Sequence, residues 1–453
     1  MTTIKIPKYT QTPDLPAEPN ALTERRPRYL LVGLALILGV LSAALAACQP
    51  RPLLEGVTLS PTLITPNADG EADLTRIEFY LNRNAIVSFR LIPVESVVGG
   101  ELLTGEEVYY FRPPRPVSAS DDPYTVYFGG VVEGYDHPSD GQLDYTVLNR
   151  MLSDGLYMWE LHAETREGET KAVTGTLTIQ DADTALPGIR GFNVHPRIFS
   201  PNQDGINDRV TINLVLEKDV EELRVYLKGV DGFEHHIPED ERTTRPNAKG
   251  WHTYDYDGGI DAGSEPPPDG VYTIYAEARD AVGQRVVVTD TLTIENAGMP
   301  RAYIVNGEVE WSVNTLVISD TLCFTLTVEN DSQTYIRTTG PWPGTLYESD
   351  QNHNTLGWHQ ESGAFRVAVD FDTSMRNYPF RWGIGQPGVD LVEVDGYWYL
   401  PPQARSLVTG CIRIVDVPVR NPLYYWAGLI HEDVRIAPVN NRVAPNFVEI
   451  WEP

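Results

Sequence analysis

The chain has 453 residues, enough for two to four domains, and a formal net charge of −28 at pH 7. Residues 1–47 hold five basic and three acidic side chains, so the remainder carries a net charge of −30. This charge repels nucleic acid and anionic lipid, which excludes a nucleic-acid-binding protein, and it can attract divalent cations.

The N-terminal segment is typical of an export signal. Residues 1–28 are polar, contain five prolines and predict a disordered cytoplasmic leader. An uncharged run at 29–47 follows basic residues and ends in Leu45-Ala-Ala-Cys48, which resembles the lipobox of a bacterial lipoprotein signal. Cleavage there would remove residues 1–47 and leave Cys48 lipidated. The alternative is an uncleaved transmembrane helix at 29–48, because 19 uncharged residues nearly span a bilayer.

Both alternatives predict the same topology. The positive residues at 25–28 hold the N-terminus in the cytoplasm, so everything after residue 48 is extracytoplasmic. The membrane is therefore an expected partner, through a lipid or a single helix. The whole chain has 37 glycines and 35 prolines, which supply many turn signals. After residue 50 these turns separate runs in which apolar and polar residues alternate with a period of two. This pattern is typical of half-buried strands in β-sandwiches.

An internal repeat organises the next two thirds of the chain. Residues 60–73 return as 195–208, and the same offset of 135 places Ile77, Phe79 and Leu81 onto Ile212, Leu214 and Leu216. Side chains two apart point to one face of a strand, so these two sets predict inward faces in the same register. A second motif returns from 153–157 to 268–272 with an offset of 115. The first copy therefore has about 20 extra residues between the two motifs, which we expect in a long loop at 92–130.

Four motifs follow one another in the second copy. They are Pro-Asn-Gln-Asp-Gly-Ile-Asn-Asp at 201–208, Tyr-Asp-Gly at 256–258, Pro-Asp-Gly-Val-Tyr at 268–272 and Arg-Asp-Ala-Val-Gly at 279–283. They resemble the Ig-like domain of flagellar hook-capping proteins, to which modules of secreted proteins and gliding-motility C-terminal domains are related. The first copy departs from the pattern at 71–73 and 128–130. The resemblance implies structural or adhesive modules without a chemistry of their own.

The repeated loop has the composition of a calcium site. Asn202, Asp204 and Asp208 place oxygen-bearing side chains at positions 1, 3 and 7, and Gly205 permits a sharp turn. Calcium takes six to eight oxygen ligands, so Asp255, Asp257 or Asp261 would have to complete the shell. Asn67, Asp69 and Asp73 predict a weaker copy of the site. The alternative is an ion-free Asx turn, in which the Asn side chain bonds to the backbone two residues on.

The composition changes after residue 297. Seven of the nine tryptophans lie there, at 311, 342, 358, 382, 398, 426 and 451. Alternation at 313–330, 406–417 and 424–436 predicts strands of a third sandwich. The aromatic residues either stack on sugar rings of a glycan or form the core of the domain. Cys323 and Cys411 lie in strand-like segments, and an even count outside the cytoplasm predicts a disulfide between them; the alternative is two buried thiols.

The apparent catalytic motifs of the sequence do not support an enzyme, because each lacks a feature that its chemistry needs. Gly383-Ile-Gly-Gln-Pro-Gly388 matches a dinucleotide-binding fingerprint, but it precedes a strand where that motif needs a helix. His431-Glu432 lacks the second histidine of a zinc protease.

The sequence thus predicts an all-β fold of three tandem Ig-like β-sandwich domains, at 55–183, 188–296 and 300–453. The expected function is adhesion, spacing or scaffolding outside the cytoplasm, with an envelope protein as partner. The alternative is a glycan-binding lipoprotein.

Overall fold

The computed structural model describes residues 51–136, 145–229, 231–239 and 245–452. In these ranges the chain is all-β, as predicted, and has no α-helix. Six sheets enclose three large apolar cores. We refer to the parts of the chain around these cores as the first, second and third modules. Within the described ranges no helix is long and apolar enough to cross a bilayer. Cys48 and the predicted segment 29–48 lie outside them.

The first module packs a three-stranded sheet against a larger one. The small sheet has the order β1-β3-β7, and the large one has β2-β11-β10-β4 with β5 and β6 both paired to β4. The strands are β1 (Leu54–Ser60), β2 (Leu63–Ile64), β3 (Thr75–Leu81), β4 (Ala85–Val98), β5 (Glu101–Thr104), β6 (Tyr109–Val117), β7 (Tyr124–Phe128), β8 (Val131–Asp136), β9 (Tyr145–Met151), β10 (Gly155–Glu164) and β11 (Thr170–Ile179).

The second module repeats this plan. Its small sheet is β12-β14-β17, and its large sheet contains β16-β15-β18-β19. The strands are β12 (Ile189–His195), β13 (Ile198–Phe199), β14 (Val210–Leu216), β15 (Glu222–Lys228), β16 (Glu234–Ile237), β17 (Gly250–Tyr256), β18 (Gly270–Arg279) and β19 (Arg285–Ile294).

The register predicted from the repeat is confirmed. Ile77, Phe79 and Leu81 of β3 are all buried in the first core, and their counterparts on β14 are buried in the second. Even the irregularities repeat, because β1 shifts register between residues 55 and 58 and β12 between residues 190 and 193. The pair β1–β3 and the pair β12–β14 therefore form the same inner wall in the two modules, with the same apolar spacing and the same register shift.

The extra residues of the first copy are mostly not in the loop expected at 92–130. The longer interval lies between β7 and β10, from 128 to 155, compared with 256 to 270 in the second copy. It forms the hairpin β8–β9, and β9 pairs antiparallel with β19 of the second module. Val147 of β9 is buried in the second core, whereas Val132 of β8 is buried in the first. The hairpin therefore belongs to both modules.

The third module has a five-stranded and an eight-stranded sheet around the core richest in aromatic residues. Its elements are β20 (Ala302–Ile304), β21 (Glu310–Trp311), β22 (Thr315–Val317), β23 (Thr321–Asn330), β24 (Ile336–Thr338), β25 (Leu346–Glu348), β26 (Phe365–Phe371), β27 (Phe380–Gly383), β28 (Val392–Val394), β29 (Tyr397–Leu400), β30 (Arg405–Arg413), β31 (Leu423–His431) and β32 (Val443–Trp451), with short 3₁₀ turns at Val305–Gly307, His353–Leu356 and Pro438–Asn440.

Each module has one short strand near its beginning that pairs in parallel with its last strand. The pairs are β2 with β11, β13 with β19, and β22 with β32. In the third module Cys323 of β23 lies opposite Cys411 of β30, and their sulfur atoms are bonded. The disulfide closes a loop with a sequence separation of 88 residues and ties together two strands of one sheet.

We predict that shortening Val147 destabilises the second module although this residue belongs to the first copy of the repeat. Val147→Ala removes apolar contacts from the second core and should cost about 2 kcal/mol there. Hydrogen exchange followed by mass spectrometry should show faster exchange in β18 and β19. Val132→Ala on the partner strand is the matched control, and it should accelerate exchange in β3 and β10 instead. Equal effects of both variants on both cores would contradict the division of the hairpin.

Candidate functional site

The loop at 202–208 is closed by hydrogen bonds from its own backbone. The Asn202 Oδ1 atom accepts from the Asp204 N–H at 3.0 Å, and Asp204 Oδ1 accepts from the Ile206 N–H at 2.9 Å. Asp208 then accepts from the N–H groups of Asn202, Asp204 and Gly205, at 3.4, 3.1 and 2.6 Å. Two successive Asx turns and one carboxylate thus satisfy four N–H groups of the loop, those of residues 202, 204, 205 and 206.

The loop at 67–73 has the same arrangement. Asn67 Oδ1 accepts from the Asp69 N–H at 3.0 Å, and Asp69 Oδ1 accepts from the Glu71 N–H at 2.8 Å. Asp73 accepts from three N–H groups of the loop, including those of Asn67 at 3.1 Å and Gly70 at 2.8 Å. The structure therefore has the Asx turns of the alternative interpretation in both copies. Calcium would compete with the loop N–H groups for these oxygen atoms.

The carboxylates expected to complete a calcium shell have a different partner. Arg209 Nε lies 2.8 Å from Asp255, and Arg209 Nη1 lies 2.6 Å from Asp261 and 3.7 Å from Asp257. A cation of the protein therefore already pairs with these carboxylates and offsets part of their charge. No cluster of three or more His, Cys, Asp or Glu side chains with metal-binding geometry occurs in the described part of the chain.

The two loops differ in what covers them. Asn202 and Asp204 are buried, whereas Asp69 and its neighbours in the first copy are exposed. The cover of the second loop is the third module. Its Tyr399 hydroxyl donates to Asp204 Oδ2 at 3.0 Å, and His431 Nε2 donates to the Gln203 carbonyl at 2.7 Å.

Two glycines allow the backbones of the second and third modules to touch. A Cβ atom on Gly363 would lie 2.1 Å from the Asp204 carbonyl carbon, and one on Gly205 would lie 2.1 Å from the Ser362 oxygen. Real Cβ atoms do not approach other atoms this closely, so neither position accommodates a side chain without movement. A polar cleft of about 350 Å³ opens beside this contact and is lined by Asp208, Arg209 and Asp433 among others.

Burial at this joint changes the pKa values of its acidic and basic groups. The pKa of Asp208 is raised to about 6, first by burial and then by the nearby Asp204 charge. Burial also raises the pKa of Asp204, although the hydrogen bonds from the Ile206 N–H and the Tyr399 hydroxyl lower it. Burial lowers the pKa of His431 to about 4, so its ring is neutral at pH 7. The ring stacks on Phe365 with centroids 4.0 Å apart. The joint thus has unfavourable negative charge that a proton or a cation would relieve.

The joint between the first and second modules is a hydrogen-bonded linker. Lys218 Nζ donates to Asp183 at 2.6 Å, to the Ala185 carbonyl at 2.9 Å and to Asp280 at 2.8 Å. The buried Gln284 side chain donates to the carbonyls of Asp183 and Ala185 and accepts from the Met151 N–H at 3.1 Å. Sequence reasoning missed this joint, although Asp280 and Gln284 lie in or directly after one of the four motifs.

The repeated Asp-Gly-x-Tyr turns also fix the exits of their modules. The Asp154 carboxylate accepts from the N–H groups of Asp181 and Ala182, at 3.1 and 3.0 Å. Asp269 accepts from those of Asn296 and Ala297, at 3.1 and 2.8 Å. The sequence offset of 115 therefore separates two equivalent aspartates, each of which holds the segment that leaves its sandwich.

The aromatic residues of the third module mostly form its core. Trp382 and Trp426 are buried, and of the seven tryptophans only Trp451 is exposed. One exposed aromatic group does occur, on β31 and β32. Tyr424 and Phe447 face each other with ring centroids 5.1 Å apart, and Trp451 lies four residues further along the same strand face.

His431-Glu432 serves structure in this module. The fully buried Glu432 carboxylate lies 2.8 Å from Arg366 Nη1 and 2.9 Å from Arg381 Nη1, and it also accepts from the Glu361 N–H at 2.6 Å. Buried charges are costly unless they are paired, and here the carboxylate has three donors, whereas Arg366 Nη2 is buried without a partner. The group links β26 and β27 to the end of β31 that carries His431 to the joint.

No protein-family model and no curated protein sequence matches the chain, so the resemblance to hook-capping proteins stays an expectation. Among solved structures, the chain is similar to the Ca²⁺-stabilized adhesin that helps an Antarctic bacterium bind ice, with 12% identity over 88% of this chain and 74% of that one and a TM-score of 0.21. A tetra-tandem repeat from the extending region of a large adhesion protein has 11% identity over 84% and 72%, with a TM-score of 0.18. A glucan-utilization protein of Bacteroides ovatus has 12% identity over 88% and 71%, with a TM-score of 0.14. These scores are too low to carry an argument about function.

We predict that the Asp208 carboxyl titrates near pH 6. Its pKa is raised in the folded protein above the ordinary value of about 3.9. The protonated carboxyl therefore contributes stability that is complete below about pH 4 and is lost as the pH rises through about 6. A ¹³C-carboxyl NMR titration should show this midpoint, and Asp204→Asn should lower it by removing the neighbouring charge. A midpoint near 4 in both proteins would contradict the prediction.

Proposed function

We propose that the chain is a non-catalytic surface protein of the cell envelope that acts as a spacer or scaffold and presents an adhesive surface. Its anchor would be a lipid on Cys48 or a helix at 29–48. One observation carries the proposal: at both junctions the backbones of the two modules lie against each other, and side-chain hydrogen bonds hold them there. An enzyme needs a site with converging reactive groups, whereas a spacer needs modules held at a fixed angle.

The two junctions support this in different ways. At the first, β9 continues the sheet of the second module, and Lys218 and Gln284 hold the linker. At the second, the 202–208 loop packs against Gly363 and bonds to Tyr399 and His431. Modules joined only by a flexible linker would move independently. Here each linker is short and its polar groups are bonded.

The spacer proposal predicts that a methyl group on Gly363 loosens the joint. Gly363→Ala would push against the Asp204 backbone, so small-angle X-ray scattering should show a wider distribution of particle lengths. Gly344→Ala is the matched control, because Gly344 also has a positive φ but has no atom within 4 Å of the added methyl. If Gly363→Ala scatters like the wild type, the joint does not set the angle and the proposal fails.

Calcium is the second part of the proposal. An ion bound by Asn202, Asp204 and Asp208 would neutralise two carboxylates that burial makes unfavourable. Asn67, Asp69 and Asp73 would bind more weakly, because Asp69 is exposed and the other two are only half-buried. Binding requires these side chains to exchange loop N–H groups for the ion. Extracellular calcium modules have dissociation constants of about 0.1 to 1 mM, so the joint would stiffen with external calcium.

We predict that calcium raises the unfolding temperature of the chain from residue 49 onward. At a free concentration of about 100 times the dissociation constant, binding to the folded state adds about 2.7 kcal/mol. The shift should disappear in Asp204→Ala and persist in Asp122→Ala, which removes the same charge from an exposed site. An unchanged temperature on chelation would leave the Asx turn ion-free, and a shift that persists in Asp204→Ala would place the ion elsewhere.

Glycan binding is the alternative function, and the group of Tyr424, Phe447 and Trp451 favours it. Exposed aromatic faces on a sheet can stack on sugar rings. A glycan array separates the two functions: binding that Trp451→Ala abolishes and that the equally exposed Trp251→Ala retains would support the alternative.

A further inference from the structure

The first module contains an apolar cavity at the open side of its sandwich. It lies between the edge strands β6 and β7, and its walls include Phe79, Phe89 and Leu161. The empty space within it, including its open mouth, is about 470 Å³. The lining is mainly apolar, so water inside gains few hydrogen bonds and is readily displaced by a hydrocarbon chain.

Two arginines with no acidic partner stand at the mouth of this cavity. Among the described residues, neither Arg112 nor Arg115 forms an ion pair or a side-chain hydrogen bond, and the Nε atom of Arg112 is buried without a partner. Burial, and then the charge of Arg115, lowers the pKa of Arg112. The guanidinium of Arg112 lies over the Phe111 ring, 5.3 Å from its centroid. The chain beyond residue 47 has twice as many acidic as basic residues, so two adjacent guanidinium groups without an acidic partner contrast with the rest of its surface.

The wall next to these arginines, strand β6, is irregularly paired with its neighbour. Strand β6 contains Pro113, Pro114 and Pro116, which have no N–H to donate to β4. The pairing of β6 with β4 also changes register twice, on either side of Phe89. A strand with few ladder hydrogen bonds can shift outward at low cost, which would widen the cavity for a longer ligand.

We propose that this cavity binds a free anionic amphiphile of the fatty-acid class, with its hydrocarbon end between β6 and β7 and its carboxylate on Arg112 and Arg115. The apolar walls exclude a polar ligand. The paired guanidinium groups select a negative head, since arginine binds carboxylates with two parallel hydrogen bonds. A neutral or cationic head would leave both guanidinium groups unpaired.

The ligand would enter near the beginning of the module. β6 ends opposite Ala85, and the adjacent Asn82 side chain donates to the Pro52 carbonyl at 2.7 Å. The mouth therefore lies toward the end of the first module from which the chain leads back to Cys48. The binding chemistry itself does not depend on the proposed spacer function or on the anchor.

Isothermal titration with dodecanoate below its micellar concentration tests the proposal. The protein would be the chain from residue 49 onward, which contains every described core residue. We expect one dodecanoate per chain and no binding of dodecyltrimethylammonium, which has the same tail and the opposite charge. Equal binding of both amphiphiles would overturn the proposal, and so would binding to vesicles of anionic phospholipid without binding of dodecanoate.

Variants locate the head and the tail. Arg112→Gln with Arg115→Gln should weaken binding about tenfold or more, because the charge-assisted bonds are lost. Arg166→Gln, an exposed position on the β10–β11 turn of the same module, should change affinity by less than about twofold. Val126→Phe fills the cavity and should abolish binding, with folding checked by circular dichroism. Unchanged affinity in the arginine double variant, which alters only the mouth, would overturn the proposal whether or not Val126→Phe folds.

Discussion

Backbone pairing between β9 and β19 is the contact on which the arrangement of the first two modules depends. An edge strand carries unpaired N–H and C=O groups that need a partner or protection. Strand β9 covers the edge of β19 and places Val147 in the second core. Because β8 and β9 form one hairpin and Val132 of β8 packs in the first core, rotation of the first module against the second would break either this ladder or the packing of β8. The buried Gln284 side chain then donates to the carbonyls of Asp183 and Ala185 in the linker, and Asp280 accepts from Gln284 and from Lys218.

Features that depend on local alternation could be predicted from the sequence. The apolar face of Ile77, Phe79 and Leu81 follows from the period of two, and its repetition at 212–216 follows from the offset. Both interpretations of the 202–208 loop also followed from its residues, because oxygen atoms at alternate positions suit an ion and an Asx turn equally. The choice between an ion and an Asx turn depends on which groups lie near these oxygen atoms. In the structure they are N–H groups of the loop's own backbone, so the Asx turn forms.

Features that depend on distant partners could not be predicted. The alternation in β9 indicates a strand, but nothing in it indicates that its neighbour is β19 rather than a strand of its own module. Tyr399 and His431 appear in the sequence as ordinary aromatic residues of the third module, although they bond to the second. Arg209 follows Asp208 directly, yet its reach to Asp255 depends on the pairing of β14 with β17. Sheet neighbours are set by packing of the whole core, and local sequence does not carry them.

The parallel pairing of an early short strand with the last strand of each module has a mechanical consequence. A protein held at one end and pulled at the other transmits tension through β2 and β11, β13 and β19, and β22 and β32. In a parallel pair whose opposite ends are pulled, the hydrogen bonds are loaded in shear, and they must break together rather than one after another. Antiparallel hairpins pulled from their open ends unzip bond by bond. The parallel pair that closes each core is thus also the pair loaded in shear when the chain is pulled, and this holds for all three modules.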